Sequence, residues 1–147
     1  MIFDTSLVFS DGQAVTASAP SANVIDLGAT GTPFGASAAL IRDIGRGSEI
    51  DLSVSVTQAF AGLTNLQVSV QASPDNATWT TISSGATVPV ASLVAGYQFK
   101  VPGSIEEGAN ARYLRLYYTV GGSNATAGKL TAAIVASRQT NLGTGGQ

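Results

Sequence analysis

The side chains that most often perform catalysis are scarce in this sequence. Histidine and cysteine are both absent from its 147 residues. Their absence removes Ser-His-Asp and Cys-His nucleophile pairs, His-ligated zinc, thiolate metal sites and disulfides. The acid–base chemistry that remains would need two carboxylates, as in glycoside hydrolases. Glu106 and Glu107 are adjacent in a polar loop, where carboxylates usually face solvent, so we expect no enzymatic activity, no metal and no cofactor.

Two short motifs could bind a phosphate or a cation. Residues 24–31 combine a strand with a glycine-rich turn, an arrangement that can hold pyrophosphate at a helix N-terminus. However, the third glycine of the dinucleotide-binding pattern is displaced, and Phe34 occupies the position where close helix–strand packing requires a residue without a side chain. In addition, no alternating β-α-β pattern surrounds the segment. Asp75 and Asn76 could offer oxygen ligands to calcium, but the alternating carboxylates of an EF-hand loop are missing. We therefore interpret the two motifs as a loop and a turn.

Arginine and tyrosine form a pattern that could bind another protein. Tyr113, Arg115 and Tyr117 alternate with Leu114 and Leu116, so they share one face of a strand. Arginine and tyrosine are enriched at protein interfaces. The alternative is a solvated sheet face with half-exposed side chains, and the sequence leaves both interpretations open.

The single tryptophan, Trp79, follows the turn sequence Pro74-Asp75-Asn76 and begins a return strand. Large aromatic side chains mostly fill cores and interfaces. We expect Trp79 to be a buried anchor of a sandwich, with a ligand-binding platform as the alternative.

The composition indicates a surface with few charges. Hydrophobic residues make up 44% of the chain and charged residues 11%, compared with roughly 25% charged residues in an ordinary soluble domain. Such a surface can be covered by protein partners at a low desolvation cost. The net charge of -2 and the scattered basic residues provide no site for nucleic acid, so we expect none to bind.

We also expect no membrane association and no export. No apolar stretch is long enough to span a bilayer. The first residues lack the basic and apolar regions of a cleaved signal. These two features predict a soluble protein that is not exported by a cleaved signal.

Alternation of apolar and polar residues with a period of two dominates the chain, most clearly in residues 50–57, 66–73, 113–120 and 130–136. We expect the first two runs to form a hairpin or meander, and the last two a second hairpin around Gly121 and Gly122. Asp11-Gly12 is interpreted as a turn. Weaker strands are predicted at residues 3–9, 14–17, 23–27, 78–83 and 97–101.

This spacing predicts one all-β domain over residues 1–147, an antiparallel β-sandwich of the jelly-roll type with long loops. At most one short helix is expected, at residues 37–44. Residues 28–47 form a long glycine-rich loop, and long loops in compact domains are often functional. Residues 141–147 are expected to be a flexible tail.

Several segments of the chain, in order, resemble the cement (decoration) proteins of tailed-phage capsids of the Bordetella-phage type. The similarity rests on the order and spacing of the segments, because none of them is a chemical signature. The segments are residues 1–4, 7–16, 23–28, 42–47 (RDIGRG), 66–73, 112–122 (RYLRLYYTVGG) and 126–128.

The resemblance implies a jelly-roll subunit that sits as a symmetric oligomer on the outside of an icosahedral shell. It would tie neighbouring major capsid protein subunits together against the pressure of packaged DNA. The expected partners are therefore the major capsid protein and further copies of the chain, as a dimer or trimer, and the expected location is the outer surface of the virion.

Candidate contact residues lie in the N-terminal segment, in the long loop and on the strand that carries arginine and tyrosine. For Phe3, Leu7 and Phe9 the alternative is an ordinary core strand. The candidate residues are Ile2, Phe3, Phe34, Leu40, Ile41, Arg42, Arg46, Tyr113, Arg115 and Tyr117.

A non-catalytic carbohydrate-binding module is the alternative function. Residues 68–79 and 111–116 also resemble discoidin-type sandwiches. Those modules are usually exported and often closed by disulfides, whereas this chain has no cysteine. Glycan sites generally need several exposed aromatic side chains, and only 7% of the residues here are aromatic.

Overall fold

A computed structural model of the chain describes residues 3–40, 49–105 and 111–138. Within these ranges the structure is built from strands and loops, with two 3-10 turns at Thr5–Leu7 and Val90–Ser92. The strands are β1 (Val8–Ala14), β2 (Ala19–Pro20), β3 (Ile25–Asp26), β4 (Ile50–Ala61), β5 (Asn65–Ser73), β6 (Thr80–Ser84), β7 (Val88–Pro89), β8 (Ser104–Ile105), β9 (Tyr113–Gly121) and β10 (Ala127–Ile134).

The strands form two antiparallel sheets. Sheet 1 has the order β1-β10-β4-β8, and sheet 2 has the order β2-β9-β5-β6, with β3 also paired to β9 and β7 also paired to β5. Because β2 and β3 border the same side of β9, and β6 and β7 the same side of β5, each pair fills one strand position. With each of these pairs counted as one strand, eight strand positions remain in the described ranges. Numbered along the chain, they have the order 1-8-3-6 in sheet 1 and 2-7-4-5 in sheet 2, which is the order of a jelly roll. The predicted all-β sandwich is confirmed.

The inward faces of the two sheets share one hydrophobic core. Leu52 and Val54 of β4 in sheet 1, and Leu114 and Leu116 of β9 in sheet 2, are almost completely buried in the same cluster. Burial of each such side chain contributes about 1.5–3 kcal/mol to stability. The alternation seen in the sequence therefore identified the inward faces of these strands correctly.

The two predicted hairpins are wrong. β4 pairs with β10 and β8 in sheet 1, whereas the next strand, β5, pairs with β9 and β6 in sheet 2. β9 and β10 are likewise consecutive in the chain but lie in different sheets. Each connection crosses from one layer of the sandwich to the other. Period-two alternation shows which face of a strand is buried but does not show which strand it pairs with, so it cannot distinguish a hairpin from a crossing.

A β-bulge replaces the turn predicted at Asp11-Gly12. The register between β1 and β10 shifts between Ser10 and Gln13, and Gly12 has a φ of 54°, in the left-handed region where glycine has no steric penalty. The Gly12 amide donates a hydrogen bond to Thr131 Oγ1 at 3.0 Å. The strand therefore continues through the glycine.

The weaker strand predictions had mixed outcomes. Only the end of the segment predicted at residues 3–9 is strand, because Asp4 caps a 3-10 turn that precedes β1. Residues 14–17 leave the strand after Ala14. The segment at 23–27 contains β3, and the segment at 78–83 contains β6 except for its last residue, Ser84. The segment at 97–101 makes one bridge, between Gln98 and Ser55 of β4.

The helix predicted at residues 37–44 is absent from the part of this segment that the structure describes. Residues 37–40 have no helical hydrogen bonding, and residues 41–44 lie outside the described ranges. Residues 28–40 form an irregular loop, as predicted for this part of residues 28–47. Glu106, Glu107 and the predicted tail at 141–147 also lie outside the described ranges.

A chain of polar side chains links the two sheets, from a buried tyrosine in the core to an exposed carbonyl at the surface. Tyr118 of β9 is completely buried, and its hydroxyl lies 2.7 Å from Ser10 Oγ of β1. Ser10 Oγ donates to Gln13 Oε1 at 2.6 Å, and Gln13 Nε2 donates to the Pro20 carbonyl of β2 at 3.0 Å. Because the Ser10 proton is used on Gln13, the Tyr118 hydroxyl is the donor to Ser10. Burial raises the pKa of Tyr118, which keeps this phenol protonated.

The β5–β6 connection is a turn organised by Asp75, as the sequence predicted. The Asp75 carboxylate accepts hydrogen bonds from the backbone amides of Thr78 and Ala77, at 2.7 and 2.9 Å, and from Ser73 Oγ at 2.9 Å. Asn76 takes the left-handed conformation, with a φ of 59°, which asparagine tolerates better than most residues. These hydrogen bonds, the Thr78 amide first, lower the pKa of Asp75 well below its ordinary value of 3.8.

Asp75→Asn is expected to make the stability of the protein less dependent on acidic pH. A pKa that is lower in the folded state stabilises the fold above the unfolded pKa, and this contribution is lost as the pH falls towards the folded value. The difference in unfolding free energy between wild type and Asp75→Asn should therefore be largest near about pH 5 and shrink towards about pH 2. Urea unfolding at both pH values measures it, and an unchanged difference would contradict the assigned role of the carboxylate.

Candidate interaction surface

The outward face of sheet 2 carries the predicted arginine–tyrosine group. Tyr113, Arg115 and Tyr117 of β9 are half-buried and point away from the core, opposite the buried Leu114 and Leu116. The prediction that these three side chains share the outer face is confirmed. In the neighbouring strand β5, the residues paired with them are Ser73, Gln71 and Ser69, respectively.

Arg115 is held in place by its neighbours on this face. The carbon at the centre of its guanidinium group lies 4.0 Å from the centroid of the Trp79 ring and 5.9 Å from that of Tyr117. Its Nε donates a hydrogen bond to Gln71 Oε1 at 2.8 Å. Stacking on aromatic rings and a fixed Nε bond restrict the rotamers of this long side chain. We call Arg115, Trp79, Tyr117 and Gln71 the Arg115 cluster.

Trp79 is not the buried anchor that the sequence predicted. It is half-buried on the outside of sheet 2, in the last position before β6 begins. Residues 74–79 belong to the turn and do not follow the alternation of the strands, so the strand pattern could not indicate the side on which the ring lies. The ring contacts Arg115 on the outer face.

A second arginine, directly before β9, is paired with a carboxylate. Arg112 Nε and Nη2 donate to Asp26 Oδ1 and Oδ2, each at 2.7 Å, in a bidentate salt bridge. The Arg112 guanidinium also lies 4.9 Å from the Tyr113 ring centroid. The hydrogen bond to Asp26 raises the pKa of Arg112. Because Asp26 is in β3, this pair fastens the short edge strand to β9, although exposed ion pairs contribute little to stability.

Arg115 differs from Arg112 because it has no carboxylate partner in the described ranges. Gln71 supplies its one hydrogen bond there, to Nε. No buried side-chain nitrogen or oxygen in those ranges is without a partner, so both Nη atoms of Arg115 reach the surface. Partial burial lowers the pKa of Arg115, since desolvation disfavours the charged form. The side chain therefore presents a positioned pair of donors to the solvent.

Phe3 lies on another part of the molecule, beside sheet 1. It is 41% exposed and lines two adjoining grooves along β1 and β10. Phe9, by contrast, is completely buried and Leu7 packs against the core. The N-terminal segment is thus divided between a core role for Phe9 and Leu7 and an exposed position for Phe3. The residues that line the grooves with Phe3 are Asp4, Thr5, Leu7, Val8, Asp11, Asn23, Thr131, Ile134, Val135 and Ala136.

Phe34 and Leu40 lie in the long loop after β3 and are exposed. Phe34 has a relative exposure of 109% and Leu40 of 60%. The loop is closed by backbone hydrogen bonds from Ala36 to Pro33 and from Leu40 to Gly31. Large apolar side chains held this far from the core are available to a partner. The other predicted contact residues, Ile2, Ile41, Arg42 and Arg46, lie outside the described residues.

The structure thus gathers some of the predicted contact residues and separates others. Tyr113, Arg115 and Tyr117 form one surface, and Phe3 belongs to another beside the opposite sheet. Trp79 and Gln71 also belong to the first surface, although the sequence did not indicate them as contact residues. The pairing of Gln71 with Arg115 depends on the β5–β9 register, for which the sequence holds no local signal.

Neither a metal centre nor a membrane span is found in the described part of the chain. No group of three or more Asp or Glu residues that could hold a metal ion occurs in it. No helix there is long and apolar enough to cross a lipid bilayer.

Comparison with known families gives one match that covers most of the chain. The family model described as Bbp16 matches residues 9–134. This range runs from the second residue of β1 to the last residue of β10, so it contains nearly all of both sheets. No curated protein shows significant similarity to the chain.

Proposed function

Because the chain belongs to the Bbp16 family of Bordetella-phage proteins, we propose that it is a structural virion protein that decorates the outside of an icosahedral capsid. In this role it cements neighbouring major capsid protein subunits against the internal pressure of the DNA. The observation that carries the proposal is the family match, which extends over nearly the whole jelly roll.

The distribution of exposed groups supports a bridging role. A cement protein must contact more than one neighbour, so it needs contact surfaces on more than one side. Phe3 lies beside sheet 1, the Arg115 cluster lies on sheet 2, and Phe34 extends from the loop after β3. A stiff sandwich between such surfaces would transmit tension from one capsid subunit to the next.

Oligomerisation would strengthen this attachment. A dimer or trimer presents the same surfaces two or three times, and its second contact forms at a high effective concentration once the first is made. Contacts that are individually weak then become strong collectively. The proposed partners are thus the major capsid protein and further copies of this chain.

The proposal needs no catalytic group, cofactor, nucleic acid or membrane. The protein would be made in the cytoplasm of the host bacterium and would attach to the outer capsid surface. The scarcity of charged residues suits this role, since few charges lose their hydration when the surface is covered.

Carbohydrate binding is the alternative function, and the outward Trp79, Tyr113 and Tyr117 are the observation that favours it. Sugars stack on the open faces of aromatic rings. One face of Trp79 is already covered by the Arg115 guanidinium at 4.0 Å, so a sugar would have that face only by displacing the arginine. The cement role uses the cluster as it stands, whereas stacking of a sugar on that face of Trp79 requires the arginine to leave.

Co-sedimentation with undecorated capsids tests the proposed function. The purified protein should sediment with the capsids and saturate at a fixed ratio to the major capsid protein. Capsids already decorated with this protein serve as the control and should take up no more. Retention on immobilised glycans together with no binding to capsids would instead favour the carbohydrate-binding alternative.

A further inference from the structure

Arg112 and Arg115 provide an internal comparison. Arg112 directly precedes β9 and Arg115 lies in it, and each guanidinium lies close to an aromatic ring. Arg112 donates two hydrogen bonds, from Nε and Nη2, to the carboxylate of Asp26. Arg115 has an amide oxygen on Nε, and both Nη atoms are open to the surface. The unpaired edge of Arg115 has the geometry that binds a carboxylate with two hydrogen bonds.

The Arg115 cluster is organised before any partner arrives. Trp79 covers one face of the guanidinium, and Gln71 fixes its Nε. A side chain that is already ordered loses less conformational entropy on binding. Arginine and tryptophan, together with tyrosine, are also the residues most enriched among interface hot spots.

Charge complementarity identifies the chemistry of the occupant. A half-buried guanidinium whose Nη donors face solvent, with no carboxylate partner in the described ranges, is complementary to an acidic side chain. The carboxylates of this chain described on sheet 2 are already engaged: Asp26 binds Arg112, and Asp75 binds the amides of its own turn. A second copy that placed the same cluster against Arg115 would bring like charges together. A symmetric pairing of two Arg115 clusters is therefore unfavourable, whereas an acidic side chain of the capsid, the partner in the proposed function, would complement the charge.

We propose that Arg115 is the anchor by which this protein binds an acidic side chain of the major capsid protein, with Trp79 and Gln71 as positioning residues. The inference rests on the proposed function and names the contact that performs it. The carboxylate would accept hydrogen bonds from Arg115 Nη1 and Nη2. Tyr117 and Trp79 would shield this pair from water at the centre of the contact.

Quantitative binding to undecorated capsids tests the proposal with Arg115→Gln, Arg115→Lys and a matched control. Lys129 is exposed on β10 in the other sheet, so Lys129→Gln removes one positive charge without touching the Arg115 cluster. Arg115→Gln should weaken binding by roughly thirtyfold or more, as expected for a hot-spot residue. Arg115→Lys should also bind weakly, since a single ammonium group cannot replace the fork. Lys129→Gln should bind like wild type.

Each other outcome overturns a defined part of the account. If Arg115→Gln and Arg115→Lys both bind capsids as tightly as wild type, Arg115 is not the anchor, but the proposed function remains intact. Absence of wild-type binding would overturn both. A changed oligomeric state of Arg115→Gln in sedimentation velocity would show that the cluster joins copies of this chain. If Arg115→Gln unfolds in thermal melts, the Arg115→Lys result decides, because lysine retains the stem and the charge.

Discussion

Gly85→Ala is expected to lower the free energy of unfolding by about 3 kcal/mol or more, the upper range for overpacking in a well-packed interior. Gly85 is buried directly after β6, and its amide donates to the Val68 carbonyl of β5 at 2.8 Å. A Cβ at this position would lie 2.3 Å from the Val101 carbonyl oxygen and 2.7 Å from that of Val68. Both neighbours are backbone atoms, so neither can move away without displacing its strand or loop.

Gly31→Ala is the matched control for Gly85→Ala. Gly31 is exposed, and an added Cβ would meet no atom within 4 Å. Alanine there should change the unfolding free energy little, or raise it slightly by restricting the unfolded chain. Urea unfolding of the two variants and wild type measures the effect. Equal stability of Gly85→Ala and Gly31→Ala would mean that these three chain segments do not pack as closely as described.

Tyr118→Ala is expected to cost about 3–5 kcal/mol, as for other large aromatic side chains in cores. The side chain is completely buried, and its hydroxyl connects sheet 2 to Ser10 of sheet 1. Alanine would leave a cavity between the sheets and would remove the donor that satisfies Ser10. We expect the variant to unfold at a clearly lower urea concentration than wild type, and to open the sandwich more readily.

Tyr118→Phe separates the ring from the hydroxyl. It retains the packing and loses one buried hydrogen bond, which contributes about 0.5–1.5 kcal/mol. Ser10→Ala should cost about 1–3 kcal/mol, since it leaves the Tyr118 hydroxyl buried without an acceptor. In a double-mutant cycle, the losses of unfolding free energy caused by Tyr118→Phe and Ser10→Ala should be strongly non-additive. Additive losses would show that the two hydroxyls do not bond to each other.

The fold was predictable where burial alone decides it. The alternation in β4, β5 and β9 identified the inward Leu52, Leu66 and Leu116 without knowledge of the partner strands. The pairing of the strands was not predictable in the same way. Connections of ordinary length join β4 to β5 and β9 to β10 across the sandwich, and a hairpin with the same inward residues would produce the same pattern in the sequence.

The interaction surface was predictable only in part, for a related reason. Tyr113, Arg115 and Tyr117 share a face because alternate residues of one strand always do. Gln71 joins them through long-range pairing, and Trp79 through the path of a turn. Neither position follows from a local period. The pairing of Arg112 with Asp26 likewise depends on the long-range β3–β9 register, so the sequence does not show which arginine has a carboxylate partner.

Heating DNA-filled capsids with and without this protein tests the cement role most directly, with release of DNA followed by the fluorescence of an intercalating dye. The account predicts that the release temperature rises as protein is added and stops rising at the ratio at which binding saturates. Particles that carry the full complement of the protein and yet release their DNA at the same temperature as undecorated particles would contradict it.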